Sequence, residues 1–312
     1  MTKYILRRIL ISIFTIFVLI TVTFFLLKMV PDGLFSDPKM SEDARQRMRA
    51  LYGLDKPLIE QYWIYIKNLA HLDLGDSIAY PGRSVMTMIY DPSTGNGLPT
   101  SMRLGLCSLI FSVTLGVGMG TVAGLNRGKI WDKVVIFIAL IGISMPSFLV
   151  AVTLITVFGN ILGWLPTNGF GTFREMILPT ICLSLSTIAS LARLMRTSIV
   201  ELENADFIKT ARSKGLKKST IVIKHQIRNA LLPVVTVLGP LSASLLTGTF
   251  VVEAVFNIKG LGGYFVESIT NRDYGLVMGL TVLFGTFLVV ANLLVDIIYG
   301  FVDPRIQLGR ND

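Results

Sequence analysis

Charge, histidine and cysteine are all scarce in this sequence, and each shortage removes a class of function. Asp, Glu, Lys and Arg make up 16% of the 312 residues, against 52% hydrophobic residues, which is far from a soluble globular average. His71 and His225 fall in segments that the charge pattern puts on opposite sides of a membrane, so they form no metal pair. Cys107 and Cys182 sit in apolar stretches as buried free thiols. Two isolated cysteines make neither a disulfide framework nor a metal cluster. No phosphate-binding loop is present, because Gly128-Lys129 runs into Ile130 and lacks the upstream glycine. No nucleophile has an identifiable base, and no carboxylates are paired at catalytic spacing, so nothing supports an enzyme. A filter-like loop is missing too, which counts against a channel. Glu253 and Asp296 lie toward span ends rather than at mid-bilayer, which counts against an ion-coupled carrier.

What the sequence does have is apolar runs that reach the roughly 20 residues needed to cross hydrocarbon. Six are read as helical spans: Ile9 to Met29, Pro99 to Leu125, Val134 to Phe158, Met176 to Met195, Leu231 to Phe256 and Tyr274 to Phe301. The fold class is therefore all-α and polytopic, not an alternating-strand barrel. The first run is too long for a signal-peptide core and is read as retained. Pro146 after Ser144 predicts a kink in the third span, and Pro240 allows bending in the fifth. Gly116, Gly118, Gly120 and Gly124 predict close helix packing through small-residue spacing, since a mid-helix glycine pattern with no strand before it is no dinucleotide motif. The hydroxyls of the fourth span, Thr180, Ser184, Ser186, Thr187 and Ser190, either cross-bond neighbouring helices or line a polar path. Glu253 either pairs with an external base or faces a water-filled cavity.

The chain divides into residues 1–30, the N-terminus and first span; residues 31–98, a polar segment; and residues 99–312, a five-helix core with a loop at 197–230. Asp32 to Leu98 carries nine acids and seven bases. Ser41 is read as the cap of a helix ending near Gly53, and Pro57 as the opening of a second helix with an apolar stripe of Leu58, Tyr62, Tyr65 and Leu69. This segment reads as an external cap on the membrane domain, or as a contact surface for a substrate or receptor.

Asn204 to Pro233 is the opposite case. It holds Lys209, Arg212, Lys214, Lys217, Lys218, Lys224 and Arg228 against the single acid Asp206. Basic loops stay on the inner side of a bilayer, so this loop and both termini are placed in the cytoplasm. That bias also accounts for the formal charge of +9, and no zinc-finger spacing or stacking platform favours nucleic acid. Asp206 is read as the cap of a short helix and Gly215 as its stop. Such a helix either docks in another protein's groove or lies on the membrane surface.

Several fragments, in order, carry a resemblance over nearly the whole chain. They are Tyr4-Ile5-Leu6-Arg7-Arg8; Tyr52-Gly53-Leu54-Asp55-Lys56-Pro57; Asp73-Leu74-Gly75 with Ser77; and Asp206-Phe207-Ile208-Lys209-Thr210-Ala211-Arg212. Arg228-Asn229-Ala230-Leu231-Leu232-Pro233, Gly260-Leu261-Gly262, Asn271-Arg272-Asp273-Tyr274 and Asp303-Pro304-Arg305 complete the series. In this order the chain resembles the membrane permease subunits of ATP-binding-cassette importers for dipeptides and oligopeptides. The wording around Thr249-Phe250 and Ile269 to Tyr274 is nearest the oligopeptide branch; the same machinery in relatives also serves nickel chelates, haem or other small solutes.

The resemblance implies the six-helix type I (MetI-like) permease fold. It also implies an ATPase-coupling helix made of Ala205, Asp206, Phe207, Ile208, Lys209, Thr210, Ala211, Arg212, Ser213, Lys214 and Gly215. Arg193, Arg196, Arg228, Asn229 and Pro233 would support that loop, and Pro146, Pro240 and Glu253 are gate or kink candidates. No metal or cofactor is implied on this chain; ATP and Mg belong to partner subunits. The implied partners are a second homologous permease, two cytoplasmic ATPases, an extracytoplasmic peptide-binding protein, the peptide and the bilayer. Two departures stand out. Lys209 occupies the place where the wider family usually has the Glu of its Glu-Ala-Ala motif, and Lys259 stands where relatives often carry proline.

Overall fold

The computed structural model describes residues 2–29, 52–91, 96–247 and 249–302, with isolated positions between 41 and 50. The helix read from Ser41 to Gly53 lies mostly outside the described residues, as does Asp303-Pro304-Arg305. Among the described residues the regular structure is helical, apart from isolated bridges joining Asp76 to Ser84, Tyr90 to Gly97 and Gly97 to Gly260.

The first helix, α1 (Thr2–Met29), is apolar almost all round. After it come α2 (Leu58–Ala70), opened by Pro57, and the short α3 (Val85–Ile89). Tyr62 drives α2 onto α1: its ring centroid lies 5.4 Å from that of Phe24 and 5.5 Å from that of Phe25. Tyr65 and Leu69 join this cluster with Met278 and Val282, while Leu58 stays half exposed. The expected stripe therefore packs over three of its four positions.

The centre of the molecule is the pair α4 (Leu98–Leu125) and α7 (Phe173–Leu202). Ser108, Ser112, Gly116, Gly120 and Gly124 are buried at four-residue spacing along α4. A methyl group added at Gly116 would meet Leu191 Cβ at 2.7 Å, and one at Gly120 would meet the Ala192 carbonyl oxygen at 2.5 Å. At Gly124 it would meet Ile199 Cβ at 2.8 Å, whereas Gly118 faces open space. The small-residue spacing thus does what it predicts: backbone approaches backbone. Ser184 Oγ donates to the Ser108 carbonyl at 3.1 Å, so one of the two readings of the α7 hydroxyls holds at that residue.

The third expected span is broken rather than kinked. α5 (Ile130–Ser144) and α6 (Ser147–Leu154), which continues as a π turn over Ile155–Ile161, diverge by 108°. Proline lacks an N–H and clashes with a helical residue before it. Met145 is accordingly extended, at φ −86° and ψ 126°. α5 alone is about 22 Å long, short of the roughly 30 Å hydrocarbon core.

Beyond α7 come α8 (Asp206–Ser213), α9 (Lys218–Thr220), a π stretch over Ile221–Ile227, and α10 (Arg228–Thr247). Helix therefore resumes at Lys218, not Leu231, and α7 persists to Leu202; the expected loop 197–230 is shorter by both extensions. α11 (Thr249–Val255), α12 (Leu261–Thr270) and α13 (Tyr274–Val302) finish the chain. Among the described residues five helices are long and apolar enough to cross a membrane, and the bent α5–α6 pair makes a sixth if it is counted as one span.

Candidate functional site

The basic stretch folds into a short helix with one committed face and one open face. Ile208 and Ala211, three positions apart on α8, are buried against Ile221 at the base of the α9–α10 segment, with Ala205 beside them. Phe207, Lys209, Thr210, Arg212, Ser213 and Lys214 all point away from the chain. Asp206 is not the cap that the sequence suggests. Ala205 holds that position in extended conformation without a side-chain bond, and Asp206 is the first helical residue. There its charge favours the helix N-terminus, and its carboxylate accepts from Lys209 Nζ at 3.0 Å. Lys209 is thus occupied within its own turn.

The stop is as expected. Gly215 has φ +71°, its N–H donates to Arg212 O at 2.9 Å, and Leu216 N–H donates to Ala211 O at 3.3 Å. This is the paired C-terminal pattern that wants a left-handed glycine. An added Cβ would touch nothing within 4 Å, so a side chain there costs only backbone strain. Gly215→Ala is expected to weaken α8 by about 1 kcal/mol, read as amide exchange about five times faster over residues 206–213.

Two contacts, one part-buried and one buried, tie this region to the bundle, and neither is legible in the sequence. Arg196 grips Asp132 with two bonds, Nε to Oδ1 at 2.5 Å and Nη2 to Oδ2 at 2.9 Å, while Gly128 N–H donates to Oδ2 at 2.8 Å. This fastens the α4–α5 turn to α7. Gln226 Nε2 donates to the Ile199 carbonyl at 3.1 Å, fastening the π stretch to the same helix. Arg193 is exposed on α7; Arg228 is exposed and Asn229 half-buried at the start of α10, where Asn229 Nδ2 donates to the His225 carbonyl. Pro233 and Pro240 lie inside α10, and Pro146 sits at the α5–α6 break.

A second buried set lies at the other end of the bundle. Glu253 is 1% exposed, so it does not face a water-filled cavity as one reading had it. Its Oε1 accepts from Ser101 Oγ at 2.6 Å and its Oε2 from Gly262 N–H at 2.7 Å; Ser101 Oγ in turn accepts from Leu261 N–H at 2.8 Å. The carboxylate therefore caps α12 and joins it to α4. A Cβ at Gly260 would fall 2.4 Å from Glu253 Cδ, which explains the glycine beside Leu261.

Asp273 is fully buried. It accepts from Ser77 Oγ, from Ile78 N–H at 3.1 Å and from Leu276 N–H at 3.2 Å. Two fragments 196 residues apart are thereby locked together. Nearby, Tyr80 donates to Glu267, and that bond together with burial pushes its phenol up to about 12.

This architecture has relatives. Residues 113–308 match the binding-protein-dependent transport system inner membrane component family, and residues 1–79 match the N-terminal family of such membrane components. The chain is 41% identical over 310 residues to the oligopeptide transport system permease protein OppB of Haemophilus influenzae, covering 98% of this chain and 100% of that one. It belongs to the oligopeptide/dipeptide permease family. The dipeptide transport system permease protein DppB of Bacillus subtilis is also 41% identical, over 99% of both chains. Among solved structures, a chain of the MetNI methionine ABC transporter in an inward-facing conformation superposes with a TM-score of 0.55. That likeness spans 66% of this chain and 94% of the other at 21% identity, and it shows a common type I importer fold. The permease is thus a multi-pass inner-membrane protein and the non-catalytic membrane subunit of its transporter. Within it, the Ser77–Asp273 lock joins the N-terminal matched region to the core region.

Proposed function

We propose that this permease passes oligopeptides across the cytoplasmic membrane, powered by ATP hydrolysis in two separate cytoplasmic ATPase subunits. It would act with a second, homologous permease and an extracytoplasmic peptide-binding protein. The observation that carries the reading is the build of α8. Its inner face is packed on the base of α9–α10 through Ile208, Ala211 and Ile221, and its outer face presents Phe207 and Arg212. A push on the outer face is passed to the foot of a membrane helix. In this reading the α5–α6 pair is the sixth span, residues 52–91 belong to an external cap, and both termini are cytoplasmic. The Arg8–Asp296 ion pair at 2.8 Å supports that last point, since it brings the start of α1 to the end of α13.

The direct test is uptake of a labelled pentapeptide by the reconstituted assembly, with and without ATP and the binding protein. Uptake should require both, and ATP-independent uptake by this chain alone would overturn the proposal. Phe207 is 42% exposed and makes no part of the core, so Phe207→Asp should leave the fold intact. Loss of an aromatic docking anchor is expected to weaken ATPase association about tenfold or more. Pull-down of the ATPase by the intact and substituted permease checks this.

A further inference from the structure

The contacts that α2 makes with α1 fall within the part of α1 that is long enough to cross hydrocarbon. Between Arg8 and Lys28 α1 carries no charged residue, a stretch of about 30 Å that equals the hydrocarbon thickness. Thr21 lies about 10 Å inside the Lys28 end of that stretch. Its hydroxyl proton goes to the Phe17 carbonyl at 2.8 Å, which leaves Oγ1 to accept from Tyr62 OH of α2 at 2.7 Å. The Tyr62 ring stacks on Phe25, and the Tyr65 ring centroid is 6.0 Å from that of Phe24.

The rest of α2 suits that depth. On the helical wheel Ile59, Trp63 and Ala70 share the flank beside the packed Tyr62 and Leu69, whereas Glu60 and Lys67 fall on the far side. Ile59 is 62% exposed and Trp63 60%. Glu60 pairs with Lys56 at 2.9 Å on the charged side. An apolar sector that runs on past the packed stripe, set against a charged sector, is the pattern of a helix lying in a membrane interface. α1 itself leaves Val22 and Leu26 exposed at that level, which marks acyl chains as the cover of the surface there.

We propose that α2 is an interfacial helix, sunk in the phospholipid leaflet at the Met29 end of α1, with Ile59 and Trp63 among the acyl chains and Glu60 and Lys67 in water. Trp63 then belongs with the aromatic residues that sit at headgroup level. In the importer reading this is the outer leaflet, and the cap there is partly submerged.

Nitroxide labels test it on the full chain in phospholipid bilayers, with Cys107 and Cys182 replaced by alanine. Ile59→Cys and Trp63→Cys are compared with Glu60→Cys and Lys67→Cys, four exposed positions outside the packed cluster. Collisions with oxygen, which dissolves among acyl chains, are measured against collisions with a water-soluble nickel chelate. The oxygen-to-nickel ratio at the first two positions should exceed that at the other two about fivefold or more. It should stay so when the second permease, the ATPases and the binding protein are added. A nickel-dominated ratio at all four positions puts the helix in water and overturns the proposal. Loss of collisions with both reagents at Ile59→Cys and Trp63→Cys in the assembly makes the flank a protein contact and overturns it as well. The proposal needs only that α1 spans, so ATP-independent uptake would sink the importer reading and leave the collision ratios to decide this one.

Discussion

Asp273→Ala is expected to destabilise the permease by about 3–5 kcal/mol and to free the segment around Ser77 from the bundle. The carboxylate is fully buried and serves donors from two distant parts of the chain: Ser77 Oγ and Ile78 N–H on one side, Leu276 N–H on the other. Alanine leaves each donor without its acceptor inside a packed region, and an orphaned buried donor costs more than a hydrogen bond contributes when made. The neighbourhood has no slack, since a Cβ on Gly275 would already meet the Asp76 carbonyl oxygen at 2.5 Å. Asp273→Asn keeps one acceptor oxygen and should fall between the two. Trypsin cleavage at Arg83 in detergent, alongside the melting temperature, reads the effect; a melting curve unchanged in Asp273→Ala would refute the lock.

Gly120→Leu is expected to prevent assembly of a stable bundle, at a cost of about 3 kcal/mol or more. The obstacle at this position is main chain: the Ala192 carbonyl oxygen at 2.5 Å and Ala192 Cα at 3.1 Å, with Met195 Cβ at 2.7 Å. No rotamer change relieves that crowding, so α4 and α7 must part. Gly118→Ala, two residues away and facing open space, is the control. It should be neutral or slightly stabilising, because alanine is favoured over glycine within a helix by about 0.5–1 kcal/mol. Folded yield from membranes and thermal melting of the two variants should diverge sharply.

Local chemistry made parts of this structure legible from sequence. The glycine spacing of α4, the glycine stop of α8 and the proline start of α2 each rest on the geometry of a few adjacent residues. The start of α7 is also legible, though earlier than the apolar run from Met176 suggests: Thr172 and Glu175 form a capping box that begins the helix at Phe173. Proline at 146 marked the right place and the wrong size, because composition cannot say whether a freed carbonyl is satisfied by a bend or by a full break. At α8 the acid at the helix start suggests a cap, yet an aspartate in the first turn gains from the helix dipole without capping. The pairing of Asp273 with Ser77, of Glu253 with Ser101 and of Arg196 with Asp132 has no sequence signal at all. Their members stand 196, 152 and 64 residues apart, and only the folded chain introduces them.

The meshed contact of α4 with α7 also limits how this protein can move. Three glycine positions sit at the van der Waals limit, and a two-pronged guanidinium clasp closes the Asp132 end. Sliding one helix along the other would drive side chains through backbone, so the pair, with the turn it holds, behaves as a stiff strut. Any alternation between two shapes has to be hinged elsewhere: at the Met145–Pro146 corner, or in the loosely wound turns at 155–161 and 221–227.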